Sequence, residues 1–335
     1  MMRMDRAQAE SLLGKMRGRR VAVLGDLMLD EYLFGEVSRI SPEAPVPIVR
    51  VNREWAVLGG AANVAANLKS MGVEPVLVGT LQRDIAGNRM QALLQGLQIQ
   101  GDGLVIDSTR PTIIKTRVIG QQQQMLRIDR EETGACQPEA VAALCAGLAL
   151  ALEKASALII SDYAKGVVSQ EVMDRVRELC RTRGIPWIVD PKPAHAAFYQ
   201  GAPLMTPNTK ELAALTGLPA RSDAELSVAG QALMDTLGLR GLLVTRSEKG
   251  MALFASDLQH RAPWLIPTEA QEVFDVSGAG DTVIAVFSAA ISAGADWQDA
   301  AMLANAAAGV VVGKMGTATA TPAEVLRHYQ DQEAV

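Results

Sequence analysis

The feature that most constrains this chain is the recurrence of short aliphatic segments, separated by stretches of helical character. Each segment is a largely unbroken apolar run, without alternation of apolar and polar positions. Such runs suit the strands of a parallel sheet that helices cover on both faces. The sequence therefore predicts an α/β fold with a central, mostly parallel sheet, whose strands include residues 21–24, 76–78, 158–160, 187–189, 204–206 and 242–244.

Polar residues follow these segments, at the point where each predicted strand ends. Ligand sites of open α/β sheets lie beyond the carboxyl ends of the strands. A single acidic residue in such a position is often only a helix cap, so the joint placement is what favours a site. The residues concerned are Asp26, Asp30, Asp162, Asp190, Asn208 and Thr245.

Two segments, at about 31–54 and 111–130, break this rhythm. The first carries Pro42, Pro45 and Pro47, and the second alternates in polarity from Thr112 to Ile119. We interpret them as a small β-sheet that forms a lid over a ligand and whose exposed face pairs with a second subunit, giving a homodimer. The alternative is a hairpin that only decorates the surface.

Composition limits the class of function. The 335 residues are 49% hydrophobic and 21% charged, which is typical of a globular protein, and the length allows one domain or two. A net charge of −5 disfavours a broad surface for nucleic acid or anionic membranes. The three cysteines lack metal-type spacing, and no apolar run reaches the roughly 20 residues of a membrane span. A cytoplasmic protein is expected.

The turn at 278–281 carries the most chemistry. Gly278, Ala279 and Gly280 precede a small-residue helix and deliver Asp281 to its first turn. Glycines let a phosphate approach the main chain, and the N–H groups at a helix N-terminus attract its charge. Asp281 could then accept the proton of a hydroxyl nucleophile. An ordinary strand-to-helix turn is the alternative for these residues alone.

A diglycine lies upstream, at Gly59 and Gly60, before a second small-residue helix that carries Asn63. Without a Cβ the backbone can approach a polyol, and an amide can both donate and accept hydrogen bonds. The carboxylates of Asp26 and Asp30 could receive sugar hydroxyls. Tight packing of the helix explains the diglycine equally well.

The segment 273–283 resembles the C-terminal signature of the ribokinase-like (pfkB) carbohydrate kinases, with Ser277 where the signature often has Thr. The resemblance implies a three-layer sandwich with a small lid, as a single domain over 1–335. It also implies that Asp281 is the base, that 278–280 form an anion hole and that Asp30, Gly59, Gly60 and Asn63 bind the sugar. Asp275 would bind a monovalent cation such as K⁺.

The same resemblance extends to a nucleotide side, although the chain has no Gly-x4-Gly-Lys-Ser/Thr loop. Asn208 and Glu211 match an Asn-x-x-Glu element that places Mg²⁺-bound phosphates, through water. Magnesium needs only one or two protein oxygens beside ATP. The further residues implied on this side are Thr245, Ser247, Gly250 and Asn305, with Lys192 at a strand end facing the ATP phosphates.

Longer strings, at 38–47, 161–166, 189–192, 243–248 and 305–314, resemble the D-glycero-D-manno-heptose 7-phosphate kinases, a branch of that family. The resemblance implies transfer of the ATP γ-phosphate to the C1 hydroxyl of the β-heptose 7-phosphate, in lipopolysaccharide-core synthesis. A stand-alone kinase is expected, because no His-x-Gly-His motif follows. Candidate partners for the 7-phosphate are Arg39, Lys115, Arg117, Arg127, Lys165 and Lys192.

Two alternatives stay open. Another kinase of the family, acting on ribose, fructose or a nucleoside, would share the turn at 278–281. A non-catalytic sensor of sugar or nucleotide would not need Asp281, Asn208 and Glu211 together. A dehydrogenase on a doubly wound sheet is disfavoured, because the chain lacks the dinucleotide-binding glycine fingerprint.

Overall fold

The larger of two sheets forms the centre of the computed structural model, which describes residues 4–121, 123–256, 262–269 and 273–333. Its strands run parallel from β11 to β5, while β12 and β13 are antiparallel at one edge. In sheet order, with numbers following the chain, the strands are β13 (Trp264–Ile266), β12 (Met251–Ala255), β11 (Gly241–Thr245), β10 (Leu204–Met205), β9 (Trp187–Asp190), β8 (Ala157–Ser161), β1 (Arg20–Gly25), β4 (Glu74–Leu81) and β5 (Gln100–Ile106).

Helices cover both faces of this sheet. One face packs against α1 (Arg6–Met16), α2 (Ala61–Ser70), α3 (Ile85–Gly96), α8 (Ala279–Ser292), α9 (Trp297–Val312) and α10 (Pro322–Glu333). The other packs against α4 (Pro138–Ala151), α5 (Gln170–Arg183), α6 (Thr209–Thr216) and α7 (Asp223–Leu237). Along β1, Val21 and Val23 enter the first core while Ala22 and Leu24 enter the second. Burial on both faces explains the unbroken apolar segments.

The smaller sheet has four described strands in the order β3-β2-β6-β7, and its strands come from the two segments that break the rhythm. They are β2 (Leu27–Ile40), β3 (Pro47–Gly60), β6 (Ile113–Gly120) and β7 (Gln123–Arg130). The pairs β2–β3 and β6–β7 are antiparallel, whereas β2 and β6 are parallel. All eight residues of β7 are exposed, so this sheet has an uncovered side.

The predicted mostly parallel sheet is confirmed, because each predicted strand segment falls in a strand or at its end. The predicted smaller sheet is also present, with strands that begin before residue 31 and end after residue 54. Among the helices that the structure describes, none combines the length and apolarity needed to cross a membrane.

Candidate active site

Asp281 occupies the first turn of α8, with its carboxylate almost completely buried. The side-chain amide of Asn63 donates to Oδ2 over 2.7 Å, and the hydroxyl of Tyr163 donates to Oδ1 over 2.8 Å. Asn63 comes from α2, and Tyr163 follows β8 by two residues. Three separate segments therefore meet at this carboxylate.

The environment of Asp281 raises its pKa to about 6, from an ordinary value of 3.8. Burial is the main cause, because a desolvated carboxylate is costly to ionise. The hydrogen bonds from Asn63 and Tyr163 act in the opposite direction, Asp30 raises the pKa further, and Lys192 lowers it. A carboxyl group in this range can accept a proton near neutral pH.

The turn before α8 depends on Gly278. Its φ of +79° is left-handed, and a Cβ there would lie 2.9 Å from the Asn63 amide nitrogen. A Cβ on Gly280 would meet nothing within 4 Å, since this residue faces the cleft. Ala279 starts the helix, and its N–H lies 3.3 Å from the carbonyl oxygen of Val276.

A cleft open to solvent lies in front of Asp281. It brings the turn at 278–281 together with the carboxyl ends of β8, β9, β10 and β11, and three of the six predicted strand-end residues line it, namely Asp190, Asn208 and Thr245. The residues that line it are Tyr163, Asp190, Lys192, Thr206, Asn208, Glu211, Thr245, Gly278, Gly280 and Asp281.

On the smaller-sheet side of Asp281, the carboxylate of Asp30 is buried and pairs with Arg117 over 2.5 Å. A Cβ on Gly59 would lie 2.4 Å from Asp30 Oδ2, and one on Gly60 would lie 2.5 Å from the carbonyl oxygen of Asp26. Gly60 is required as glycine, because its φ is +57° and a Cβ would meet backbone, whereas a side chain at Gly59 would displace the Asp30 carboxylate. The diglycine therefore lets the end of β3 pass directly beside these acidic residues.

Both carboxylate oxygens of Asp26 accept hydrogen bonds from backbone N–H groups. Oδ2 accepts from the N–H groups of Tyr163 and Lys165, and Oδ1 from that of Val167, over 2.9 to 3.1 Å. Burial raises its pKa, and so does the nearby charge of Asp162. In this structure Asp26 shapes the loop that carries Tyr163, and it is not among the residues that line the cleft.

The predicted phosphate partners do not all lie together. Lys115 and Lys165 both pair with Glu131, over 3.0 and 2.6 Å, and Lys115 also contacts Asp129. Arg117 follows two residues later on β6. Arg39 is exposed near the far end of β2, nine residues beyond Asp30 and roughly 30 Å along an extended strand.

Two further candidates for the phosphate differ in position. Arg127 is half exposed on the outer strand β7, directly opposite Arg117, and it pairs with Asp129, which Lys115 also contacts. Lys192 lies across the cleft, where its Nζ is 2.6 Å from Glu211 and 5.3 Å from the ring centre of Tyr163. Lys115, Arg117 and Lys165 are therefore near one another, with the more exposed Arg127 beside them.

Asn208 and Glu211 form a capping box at the start of α6. Asn208 Oδ1 accepts from the N–H groups of Lys210 and Glu211, and Glu211 Oε2 accepts from the N–H of Asn208. The other oxygen of Glu211 receives Lys192. Both residues line the cleft, so a structural cap and a ligand-facing role coexist here.

The donor set on this side suits a divalent cation. The carboxylates of Asp190 and Glu211 face the same cleft, with the amide of Asn208 beside them. Burial raises the pKa of Asp190 well above its ordinary value, and Glu211 and Asp281 raise it further. A cation among these oxygens would relieve that repulsion, and oxygen ligands are what Mg²⁺ prefers.

The loop after β11 contains the other nucleotide-side candidates. Thr245 lines the cleft, while Ser247 is exposed with a left-handed φ of +52°. A Cβ on Gly250 would lie 2.1 Å from the carbonyl oxygen of Ile266, which makes glycine obligatory. Asn305 is buried in α9 and donates to the carbonyl oxygen of Pro267 over 2.8 Å.

Asp275 bridges two loops near the start of α8. Oδ1 accepts from the N–H of Ser277 over 2.9 Å, and Oδ2 from the N–H of Gly316 over 3.0 Å. The carbonyl oxygen of Val312 receives the N–H groups of both Phe274 and Asp275. The oxygen atoms of Asp275 and Val312 that accept these hydrogen bonds are the donors that a cation would meet here.

Tyr163 and Thr206 line the cleft although neither was predicted as a site residue, and Asp190 lines it although no specific role was predicted for it. Tyr163 and Thr206 follow strands, as the acidic candidates do, so position relative to a strand end was the available signal. Nothing in the sequence indicated that the hydroxyl of Tyr163 would reach Asp281, which is 118 residues away.

Asp162 connects two loops that border the cleft. Its Oδ1 accepts from the N–H of Ala164, while Oδ2 contacts the Tyr199 hydroxyl and His195 Nδ1 over 2.6 and 2.7 Å. The Tyr199 hydroxyl also accepts from the N–H of Lys192. These bonds tie the segment carrying Lys192 to the segment carrying Tyr163.

Comparison with known proteins identifies the family. The sequence model of the family described as pfkB family carbohydrate kinase matches residues 19–324, which is most of the chain. The chain belongs to this family. It is therefore a sugar kinase, a phosphotransferase whose acceptor is an alcohol group, and the turn at 278–281 lies inside the matched region.

Curated proteins that are similar in sequence to this pfkB kinase are named bifunctional protein HldE. That from Gluconacetobacter diazotrophicus is 46% identical over 314 residues, and that from Desulfatibacillum aliphaticivorans 44% over 313 residues. The alignments cover 94% and 93% of this chain but only 64% and 63% of those proteins. The chain thus spans somewhat less than two thirds of their length.

Solved structures confirm the ribokinase-like fold. Phosphofructokinase-2 from Escherichia coli, in complex with potassium, gives a TM-score of 0.78 at 18% identity. Ribokinase from Arabidopsis thaliana, complexed with ribose and ATP, gives 0.73 at 22% identity. Each comparison covers 94% of this chain and 99% of the other.

Proposed function

We propose that this pfkB kinase transfers the γ-phosphoryl group of ATP to the C1 hydroxyl of D-glycero-β-D-manno-heptose 7-phosphate, giving the 1,7-bisphosphate and ADP. The observation that carries the proposal is the position of Asp281, between Asn63 on one side and the open cleft with Lys192 on the other. The similarity to the proteins named HldE supports the heptose as acceptor, in the ADP-heptose route to the lipopolysaccharide core.

Asp281 acts as the base that takes the proton of the acceptor hydroxyl. The turn of Gly278, Ala279 and Gly280 supplies main-chain N–H groups to the transferring phosphoryl group. Positioned donors of this kind contribute roughly 10²- to 10³-fold in rate, because they stabilise charge that develops in the transition state. Little covalent chemistry is required of the protein in phosphoryl transfer.

The acceptor sugar lies between the two sheets. Asp30 and Asn63 bind its hydroxyls, and Gly59 and Gly60 let it approach the backbone. Asp26 contributes by holding the loop that carries Tyr163 and Lys165. Hydrogen bonds from both sheets would fix the C1 hydroxyl next to Asp281.

The 7-phosphate lies near Lys115, Arg117 and Lys165. Two of these cations share Glu131, so a phosphate has ammonium groups that already converge. Arg39 is distant from them along β2, and it would reach the sugar only if the smaller sheet bends or pairs with a second copy. Charge-assisted hydrogen bonds to phosphate are among the strongest available to a protein.

ATP occupies the opposite side of the cleft, with Thr245, Ser247, Gly250 and Asn305 toward the nucleoside. Lys192 contacts its phosphates. Mg²⁺ would be held by Glu211 and Asn208 through water, and it neutralises phosphate charge when bound. K⁺ would be held at Asp275.

The remaining proposals concern organisation. The chain acts as one kinase domain over 1–335, with a lid formed by about 31–54 and 111–130. The exposed side of the smaller sheet, including Leu126 and Ile128, supports a homodimer through the lid. We propose a cytoplasmic enzyme with small-molecule ligands and no nucleic-acid or membrane partner.

The test is ADP release with a panel of acceptors at fixed ATP and Mg²⁺. We expect heptose 7-phosphate to exceed unphosphorylated heptose, ribose, fructose and fructose 6-phosphate by at least about tenfold in kcat/KM, as loss of a charged contact predicts. The position of the new phosphate is read by ³¹P NMR. A preference for an unphosphorylated pentose or hexose would reject the heptose assignment.

A further inference from the structure

A row of buried polar side chains joins α2 to α8 behind the base. Asn63 donates to Asp281 over 2.7 Å, and Asn67 donates to the side-chain oxygen of Asn63 over 3.3 Å. Thr282 in turn donates to the side-chain oxygen of Asn67 over 2.8 Å. All four residues are at least nine-tenths buried. The row therefore begins and ends at neighbouring residues of α8.

The direction of this row follows from one backbone group. The main-chain carbonyl oxygen of Asn63 can only accept, and the Asn67 amide lies 2.9 Å from it. The NH₂ group of Asn67 must therefore face Asn63, which leaves its oxygen for the Thr282 hydroxyl. The second N–H of Asn67 lies toward the side-chain oxygen of Asn63. Asn63 is then left with its NH₂ group toward Asp281.

The reverse orientation of Asn63 has a defined chemical consequence. It would place an amide oxygen 2.7 Å from a carboxylate oxygen, and two acceptors at that distance need a proton between them. A flipped Asn63 would therefore favour protonated Asp281, which cannot serve as a base. Whatever fixes the orientation of this amide also fixes the protonation state of Asp281.

We propose that Asn67, supported by Thr282, is a positioning residue that orients the Asn63 amide and thereby keeps Asp281 ready to accept a proton. The inference rests on the proposed function, in which Asp281 is the base and Asn63 binds the acceptor. It also assigns a geometry to the acceptor hydroxyl. With Asn63 and Tyr163 both donating to Asp281, the hydroxyl must direct its own hydrogen to that carboxylate.

Other charged and titratable groups act on Asp281 as well. Tyr163 donates to it from the loop after β8, Asp30 faces it from β2, and Lys192 and Asp190 face it from the end of β9. Substitution of Asn67 changes none of these side chains. A change in the titration of Asp281 in such a variant would therefore report on the Asn63 contact.

The experiment is a ¹³C NMR titration of the aspartate carboxyl groups, with the Asp281 signal assigned through Asp281→Asn. For Asn67→Leu, a change of similar size, we expect the Asp281 pKa to rise by about half a unit to one unit. The acid limb of kcat should move by the same amount. Thr282→Val should move both in the same direction by less, because Asn63 still holds Asn67 through its backbone.

Ser70→Ala is the matched control. It removes a partly buried hydrogen bond from the same helix, between the Ser70 hydroxyl and the carbonyl oxygen of Ala320. The Ser70 hydroxyl also contacts the main-chain carbonyl oxygen of Asn67, but it contacts none of the side chains in the row. We expect it to lower the melting temperature and leave the Asp281 titration unchanged. An unchanged Asp281 pKa in both Asn67→Leu and Thr282→Val would overturn the proposal. A shifted pKa in an enzyme that prefers another acceptor would reject the heptose assignment alone.

Discussion

The two sheets of this kinase differ in how they are covered. All five residues of β8 are buried, and the strands around it have helices on both faces. All eight residues of β7 are exposed, and the smaller sheet carries apolar side chains such as Leu126 and Ile128 on its surface. A sheet covered on both sides can hold a catalytic group rigidly. A sheet with an open side needs another surface, such as a second subunit, to bury its exposed apolar side chains.

The difference extends to the site residues. Asp281 and Asn63, which the larger sheet supports, are bonded to each other inside the core. Lys115 and Arg117 lie on β6, where their side chains keep 14% and 17% of their surface exposed and are held by ion pairs. We therefore expect changes beside Asp281 to lower kcat, and changes on the smaller sheet or among the cations around Glu131 to act on KM or on assembly.

The largest effect is expected for Asp281→Asn, which keeps the shape of the side chain but removes the base. We expect kcat to fall roughly 10²- to 10⁴-fold, with ATP and sugar binding retained. Single-turnover kinetics and calorimetric titration with ATP separate these quantities. Asp235→Asn, at an exposed position of α7, is the control. Near-normal turnover in Asp281→Asn would reject this residue as the base.

The second effect concerns the phosphate end of the acceptor. Lys165→Met removes one of the two ammonium groups on Glu131 and should raise the KM for heptose 7-phosphate by roughly 10- to 100-fold, with a smaller change in kcat. Lys69→Met, at a surface pair with Glu74, is the matched control. A fall in kcat with an unchanged KM would group Lys165 with Asp281 and reject its role at the 7-phosphate.

The pH dependence gives the third effect. Because burial raises the Asp281 pKa to about 6, the base is unprotonated above pH 6 and becomes protonated below it. We expect kcat to fall by about tenfold per pH unit below 6. The acceptor phosphate also titrates near pH 6, so kcat at saturation is measured in preference to kcat/KM. A flat profile down to pH 5 would contradict the raised pKa.

The smallest effect on turnover is expected on the open side of the smaller sheet. The double variant Leu126→Glu and Ile128→Glu should convert the proposed homodimer to a monomer, because charge replaces apolar surface. Activity should change by no more than a few fold. Light scattering after gel filtration measures the mass, and Leu150→Glu, at an exposed leucine of α4, is the control. A dimer that survives the double variant would locate the interface elsewhere.

Much of the architecture was accessible from the sequence because it follows from local patterns. Unbroken apolar segments predicted a sheet buried on both faces, and β1 sends Val21 and Val23 to one core and Ala22 and Leu24 to the other. The turn at 278–281 was recognisable because its glycine is obligatory: Gly278 has a left-handed φ and a neighbour where a Cβ would stand. A required backbone conformation of this kind restricts the residue type at a single position, so it can be recognised in the sequence.

The positions of the predicted strand ends also indicated where the cleft lies, because the carboxyl ends of parallel strands meet at one edge of the sheet. The contacts that each strand-end residue makes could not be predicted from the sequence. Asp26 is bonded to the backbone of the loop carrying Tyr163, and Asn208 is a helix cap at the same time as it lines the cleft. A carboxylate or an amide suits either contact, so residue type alone does not distinguish them.

The sequence by itself determined the layered α/β fold, the obligatory glycines and the acidic residue that begins α8, because each depends on neighbours in the chain or on a regular period. The tertiary structure decided which groups surround that residue. Asn63 and Tyr163 come from points 218 and 118 residues away, and burial with them sets the pKa of Asp281. Desolvation and hydrogen bonding act through space, so the protonation of the candidate base is a property of the folded chain.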